Sequence, residues 1–210
     1  MTIAPRLTIE RGKRDKELRQ QSLIETATAV FAERGYDSAT TREIAERAGC
    51  AEGLIHRYFH GKRGLLLAIL ESRAARVVDD FVAALPDCAT VEEEVESMLL
   101  WHLDIMWERR DFMRVAVAQA VIDPEIGRTI SEGVNAKRVR QIVEKLGRHE
   151  TAGRLHPDVD VEAVAHSIAG LGFSVGFLYQ VCFGSSRQLA RRIILEAAAE
   201  ISRGISRRSP

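Results

Sequence analysis

Cysteine is scarce, with three residues (Cys50, Cys88 and Cys182) in a chain of 210. Their odd number and wide separation exclude a disulfide framework and any Cys-x-x-Cys metal or redox pair. Hairpin signals are missing too. No Asn-Gly or Asp-Gly occurs, and Val and Ile recur at helical spacing instead of alternating, so no segment reads as strand-rich. No repeat with a period of roughly 20 to 50 residues is visible, which excludes a solenoid. The six histidines show no His-Glu-x-x-His spacing, so neither a metal site nor a cofactor is expected. The N-terminal residues lack the apolar core of a signal peptide, and a reducing cytoplasm is the expected location. Neither sign of charge is in excess: 30 Lys and Arg balance 30 Asp and Glu.

What is present is a globular composition, 46% apolar and 29% charged, in a chain long enough for one large domain or two small ones. The balanced charge hides an asymmetry. Residues 1–63 hold twelve Lys and Arg against nine Asp and Glu, so the front carries about +3 and the remainder about −3. A basic front hints at a polyanionic partner. The periodicity predicts an all-α protein of about nine helices. Residues 1–18 are polar and aperiodic and read as a flexible basic arm. A first helix is expected from about Leu18 to Arg34, with Leu23, Ala27, Val30 and Phe31 on one face and Gly35 as its stop. Thr40-Thr41-Arg42-Glu43 reads as a capping box opening a short helix that buries Ile44 and Ala45. A third helix, from Gly53 to His60, turns Ile55 and Phe59 inward. Three short helices in this order, the last two joined by a Gly-containing turn, make a helix-turn-helix over residues 19–64. Longer helices follow in residues 65–210: Leu65–Leu85, a stripe from Val91 to Met106, one opened by Asp123-Pro124, one capped by Asp160, and Arg187–Ile205.

The segments Phe31-Ala-Glu-Arg-Gly-Tyr36, Thr40-Thr-Arg-Glu-Ile-Ala-Glu-Arg-Ala-Gly49 and Gly53-Leu-Ile-His-Arg-Tyr-Phe-His-Gly-Lys62 resemble the DNA-binding signature of the TetR family of transcriptional regulators. The likeness is dense over about residues 20–70; beyond them only length and the helical pattern agree. Helix-turn-helix physics puts the third helix in the major groove with flanking groups on phosphates. Glu52, Gly53, Leu54, His56, Arg57 and Tyr58 are its outward positions. The resemblance implies that Arg42 reaches a base and that Thr41, Tyr58 and Lys62 hold phosphates. Two positions depart from the family pattern: Ala51 stands where a capping Ser is usual, and His56 where Tyr is common. The arm reads either as extra phosphate or minor-groove contact or as a solvated tail.

A lone head of this kind has too few contacts to find one site in a genome, so a homodimer on a palindromic operator is expected. The resemblance assigns the interface to the last two helices, through Ile168, Leu171, Val175, Leu178, Cys182, Leu189, Ile193, Ala197 and Ile201. Between head and interface, Trp101, His102, Ile105, Met106, Phe112, Met113 and Val117, with Phe173 and Phe177, suit a mostly apolar effector pocket. Ordinary helix core is the alternative for each residue. His102 and His166 both fall on apolar stripes. Together these features predict a DNA-binding regulator, most simply a repressor released by a small apolar effector; a regulator without an effector is the second reading. Gly172-Phe-Ser174-Val-Gly176 matches a hydrolase nucleophile elbow, but its flanks are helical and no His or Asp follows Ser174, so an enzyme is not expected. The apolar run Ile168–Phe183 reads as shorter than a membrane span, and no membrane partner is expected.

Overall fold

The computed structural model describes residues 6–207, excepting the side chains of residues 6–13, 74–80 and 82. The described residues form nine helices: α1 (Arg6–Arg34), α2 (Thr41–Arg47), α3 (Gly53–Phe59), α4 (Lys62–Ala84), α5 (Val91–Glu108), α6 (Arg110–Ile122), α7 (residues 124–151), α8 (Val161–Cys182) and α9 (Arg187–Ile205). Among them the sole extended pairing is an antiparallel bridge between Leu155 and Ser206. The chain divides into two compact units, with the boundary between Ser72 and Arg73, inside α4.

The first helix begins at Arg6, twelve positions ahead of the Leu18 start expected from apolar periodicity. Residues 6–18 have no periodic apolar stripe to reveal them. Oppositely charged residues four apart, such as Glu10 and Arg14 or Lys13 and Glu17, favour a helix without one. The reading of these positions as an aperiodic arm is therefore corrected. Arg14, Lys16 and Arg19 are exposed along it, while the side chains of Arg6, Arg11 and Lys13 lie outside the described residues.

In the first unit, Leu23, Ala27, Val30, Phe31, Ile44 and Ile55 are fully or almost fully buried and hold the three short elements together. Thr40 caps α2 by accepting from the Glu43 amide at 3.1 Å. The expected reciprocal half is replaced: the Glu43 carboxylate turns to Arg47 at 2.8 Å and Arg34 at 3.4 Å. A complete capping box stands instead at α5, where Thr90 accepts from the Glu93 amide and the Glu93 carboxylate takes the Thr90 N–H. Asp123 and Asp160 cap α7 and α8 as expected.

The core of the second unit joins Phe81, Val95, Met98, Leu99 and Leu103 to Ile142, Leu146, Ile168, Val175, Ile194 and Ala198. It also encloses a charged group. Glu94, 2% exposed, accepts from Lys145 at 2.8 Å, from the Cys88 amide at 3.1 Å and from His149 at 3.4 Å. Lys145 donates a further bond to the Pro86 carbonyl at 3.2 Å, so the α4–α5 loop is tied to α7. α7 and α8 each contain π-type turns, at residues 129–135 and 174–182. Ser174 therefore lies inside a continuous helix, not on a strand-to-helix elbow. α8 is 22 residues long, so length and composition alone would let it cross a bilayer, contrary to the shorter run read from the sequence. Its face of Ala165, Ile168, Ala169, Gly172 and Val175 packs into the chain's own core.

Candidate nucleic-acid interface and effector-binding core

In the first unit the side chains on α2 and α3 divide cleanly. Ile44, Ala45, Ile55 and Phe59 face inward. Arg42, Glu52, Gly53, His56 and Arg57 are exposed, and Thr41, Leu54, Tyr58 and Lys62 are half-buried. The exposed set shares one surface, because Thr41 at the start of α2 donates to Glu52 at the entry of α3 at 2.5 Å. Arg42 is held by Glu46 at 3.0 Å, and the acids Glu46 and Glu52 raise its pKa further, mainly through the Glu46 hydrogen bond. Its side chain is 79% exposed, so this cation is available to an outside partner. α3 opens without a side-chain cap, in keeping with Ala51 at the usual capping position. It ends on His60 in a left-handed conformation (φ 60°) followed by Gly61 (φ 102°). The His56 ring lies against that turn, 3.8 Å from the place a Gly61 Cβ would take.

Two residues in this unit have roles that the sequence did not reveal. Lys62 was expected on a phosphate, yet its ammonium donates to the carbonyls of Tyr36 (2.8 Å), Asp37 (3.1 Å) and Ala39 (3.0 Å). It also lies 4.5 Å above the Tyr36 ring centroid. All three of its donors are used, so it fastens the α1–α2 loop to the start of α4. Gly64 is required by contact: the Phe59 carbonyl oxygen occupies the space of any Cβ there. Lys16 on α1 sits 5.7 Å from the Tyr58 ring, so the long first helix supports the α3 surface.

In the second unit, six of the nine expected pocket residues converge. Met106 and Phe177 are buried together, with Ile105, Met113, Val117 and Phe173 half-buried beside them. Trp107 and Leu178 join the cluster, and Phe173 and Phe177 stack at 5.5 Å. The other three stand apart from it. Trp101 and His102 pack edge-on at 5.2 Å and both meet Phe81, while Phe112 lies under the Arg73 guanidinium at 4.2 Å. Two glycines let α5 and α8 approach this closely. A Cβ on Gly172 would come within 2.6 Å of His102, and one on Gly176 within 3.0 Å of Met106.

His102 is fully buried. Its Nδ1 donates to the Met98 carbonyl at 2.7 Å, leaving Nε2 as a buried acceptor with no partner. Burial first, and then the nearby Arg138 charge, push its pKa down to about 3, so the ring is neutral. His166, by contrast, is exposed on α8. Arg138 on α7 is 7% exposed, with its guanidinium 6.0 Å from the Trp101 centroid. Burial and the Arg109 charge lower its pKa to about 10, which still leaves it cationic at neutral pH. A cation over an aromatic face gains about 2 kcal/mol when desolvated, less than the several kcal/mol that burying an unpaired ion costs.

The expected subunit-contact residues fall into two groups. Ile168 and Val175 are buried in the core of their own chain and are corrected to core positions. Leu171, Leu178, Leu189, Ile193, Ala197 and Ile201 are half-buried, and Cys182 is exposed. On α9 the adjacent row of Ala190, Ile194, Ala198 and Ile205 is the one sealed in the core. Among the described residues, no three of His, Cys, Asp and Glu are grouped to hold a metal ion.

Comparison with known proteins follows this division of the chain. The profile of bacterial regulatory proteins of the tetR family matches residues 23–69, and that of the AefR-like transcriptional repressor C-terminal domain matches residues 106–201. The HTH-type transcriptional repressor AcnR of Corynebacterium efficiens is 32% identical over 152 residues, covering 69% of this chain and 73% of that protein. A transcriptional regulator from Saccharomonospora viridis, solved in complex with choline, has a TM-score of 0.72 at 20% identity, covering 90% of this chain and 98% of that one. FadR from Bacillus subtilis, solved with stearoyl-CoA, has a TM-score of 0.68 at 19% identity, covering 85% and 96%. At these identities the two solved structures speak for the fold.

Proposed function

The chain belongs to the TetR family of transcriptional regulators, and from that premise we propose that it acts as a homodimeric repressor released from a palindromic operator by a small, mostly apolar effector. DNA-binding regulation comes with the family. The observation that carries the finer reading is the exposed surface of Arg42, Glu52, Gly53, His56 and Arg57 on α2 and α3, with half-buried Thr41 at its edge, above a sealed apolar underside. Such a surface fits a major groove, with Arg42 bidentate to a guanine and Gly53 admitting close backbone approach. Half-buried aromatic and methionine side chains around Met106 and Phe177 support an effector site. The half-open row Leu189, Ile193, Ala197 and Ile201 supports a second subunit. The molecules held in two solved structures of the same fold, choline in one and stearoyl-CoA in the other, support a ligand role for the second unit without naming its ligand. An effector that prefers the operator-incompetent conformation by about 1–3 kcal/mol changes operator binding roughly 5- to 150-fold.

Selection of binding sites from random duplex DNA tests the reading directly, with an inverted repeat as the expected product. Arg42→Ala is expected to weaken binding by roughly 1–3 kcal/mol with specificity relaxed at one base position. A uniform loss on every sequence assigns Arg42 to a phosphate instead. If operator affinity ignores a broad panel of small molecules, the regulator works without an effector.

A further inference from the structure

Arg138 is the most unusual charge in the second unit. It is 7% exposed, its Nε has no hydrogen-bond partner, and no carboxylate among the described residues pairs with it. The ionisable groups that act on it make matters worse: Arg109 is a second cation, and His102 is a neutral imidazole. His102 Nε2, which shares the Trp101 ring with Arg138 as a neighbour, is orphaned as well. Buried polar groups are almost always satisfied, so two orphans on either side of one indole mark a place suited to a further polar partner. The surroundings say what kind of molecule. Arg138 faces Trp101, Trp101 packs on His102, and one turn further along α5 Met106 meets Gly176 and the Phe177 cluster. Packing contacts thus run from a cationic end through an aromatic pair to an apolar cluster whose outer members are half-buried.

Building on the effector reading above, we propose that the effector is an amphiphile with an oxyanion head, a carboxylate or phosphate, received by the Arg138 guanidinium, and an apolar body lying against Met106, Phe173 and Phe177. The guanidinium fork presents paired N–H donors that match either head group. The head supplies the counter-charge that no described residue provides, so a neutral molecule of the same length binds less well.

The two tryptophans of the chain, Trp101 and Trp107, both flank this path, so fluorescence of the full-length protein reports occupancy. Dodecanoate, dodecyl phosphate and dodecanol are titrated below their aggregation limits, and operator release is followed in parallel. The expected result is that at least one anion binds about tenfold more tightly than dodecanol. Which anion does so separates a carboxylate from a phosphate head. Arg138→Gln is expected to remove that preference while leaving dodecanol binding within about threefold, and Arg138→Lys to retain part of it. Equal or tighter binding of dodecanol overturns the proposal but leaves an apolar effector site standing, as does an anion preference that survives Arg138→Gln. Silence from all three probes, with operator affinity unmoved, overturns the oxyanion head and the long apolar body together. Thermal melting of Arg138→Gln separates lost recognition from lost fold: the variant is expected to melt no lower than the parent, because it removes an unpaired buried charge.

Discussion

Lys62 carries three hydrogen bonds to the carbonyls of Tyr36, Asp37 and Ala39, and that occupation decides what its removal does. Bonds from a charged donor are worth about 1.5–3 kcal/mol each in place, and part of that is recovered when water takes over the carbonyls. Lys62→Met is therefore expected to lower the stability of the first unit by on the order of 2 kcal/mol, read from denaturant midpoints. Operator affinity falls with it, but the slope of log affinity against log salt stays as it was. A slope reduced by roughly one unit returns Lys62 to the phosphate role that the family resemblance implied. His102 makes a different kind of prediction. Its pKa in the folded protein is about 3, against 6.5 for an ordinary His. Below about pH 6.5 the unfolded chain takes up a proton that the folded chain refuses until about pH 3, so stability falls as the pH drops through that window. The slope from this group is about 1.4 kcal/mol per pH unit. His102→Asn keeps a donor for the Met98 carbonyl and removes the titration. Whatever it loses in packing at pH 7, it is expected to lose roughly 2 kcal/mol less than the parent between pH 7 and pH 5; parallel losses in the two proteins would refute a buried neutral imidazole.

Helices α5 and α7 are joined by the buried Glu94–Lys145 pair at 2.8 Å, with His149 and the Cys88 amide completing the carboxylate's partners. Removing one member strands the other in the core. Lys145→Met alone is expected to destabilise by about 3–5 kcal/mol, whereas the Glu94→Gln, Lys145→Met double variant falls short of the sum of the two single losses by about 1–3 kcal/mol. Additive losses in urea unfolding would mean that the pair is uncoupled. Legibility in the sequence follows the range of each interaction. The inward faces of α2 and α3, the Asp123-Pro124 and Asp160 starts and the stop at Gly35 were readable, because each depends on residues within four positions of one another. Lys62 bonds to a loop 23 to 26 residues away, and Lys145 to an acid 51 residues away, distances that no local pattern carries. α1 starts ahead of Leu18, and its first turns carry no apolar periodicity by which a sequence pattern would find them. On α9 the apolar row was visible, yet two adjacent rows satisfy the same spacing, and burial alone separates Ala190, Ile194 and Ala198 from Leu189, Ile193 and Ala197. The candidate pocket was legible as a set of residue types. The buried cation beside Trp101 was not legible, because Arg138 sits among Lys137 and Arg140 in what reads as a solvated basic stretch.

At the scale of the whole molecule, the chain has no net charge, so long-range attraction to DNA is weak and selectivity depends on the number of correctly spaced contacts. In the homodimer proposed above, two heads on one duplex multiply those contacts without altering either surface. The surface left for pairing in that dimer is the half-buried row on α9 with Leu171, Leu178 and Cys182 on α8, since Ile168 and Val175 are already committed to the core of their own chain. A stable pair needs about 1,600 Å² of buried surface with an apolar centre, and a charge set at that centre is not tolerated without a partner. The variant carrying Ile193→Glu and Ile201→Glu is therefore expected to sediment as a single subunit at micromolar concentration, with its helical content retained. Because each head keeps Arg42 and its neighbours, the variant still binds DNA, but its operator affinity falls toward that for unrelated sequence. The same double substitution thus separates two properties of the molecule: binding to phosphates survives in the single subunit, and discrimination does not. A variant that remains paired, or a single subunit that still picks its operator from random DNA, would contradict this division of labour and move the subunit contact away from α9.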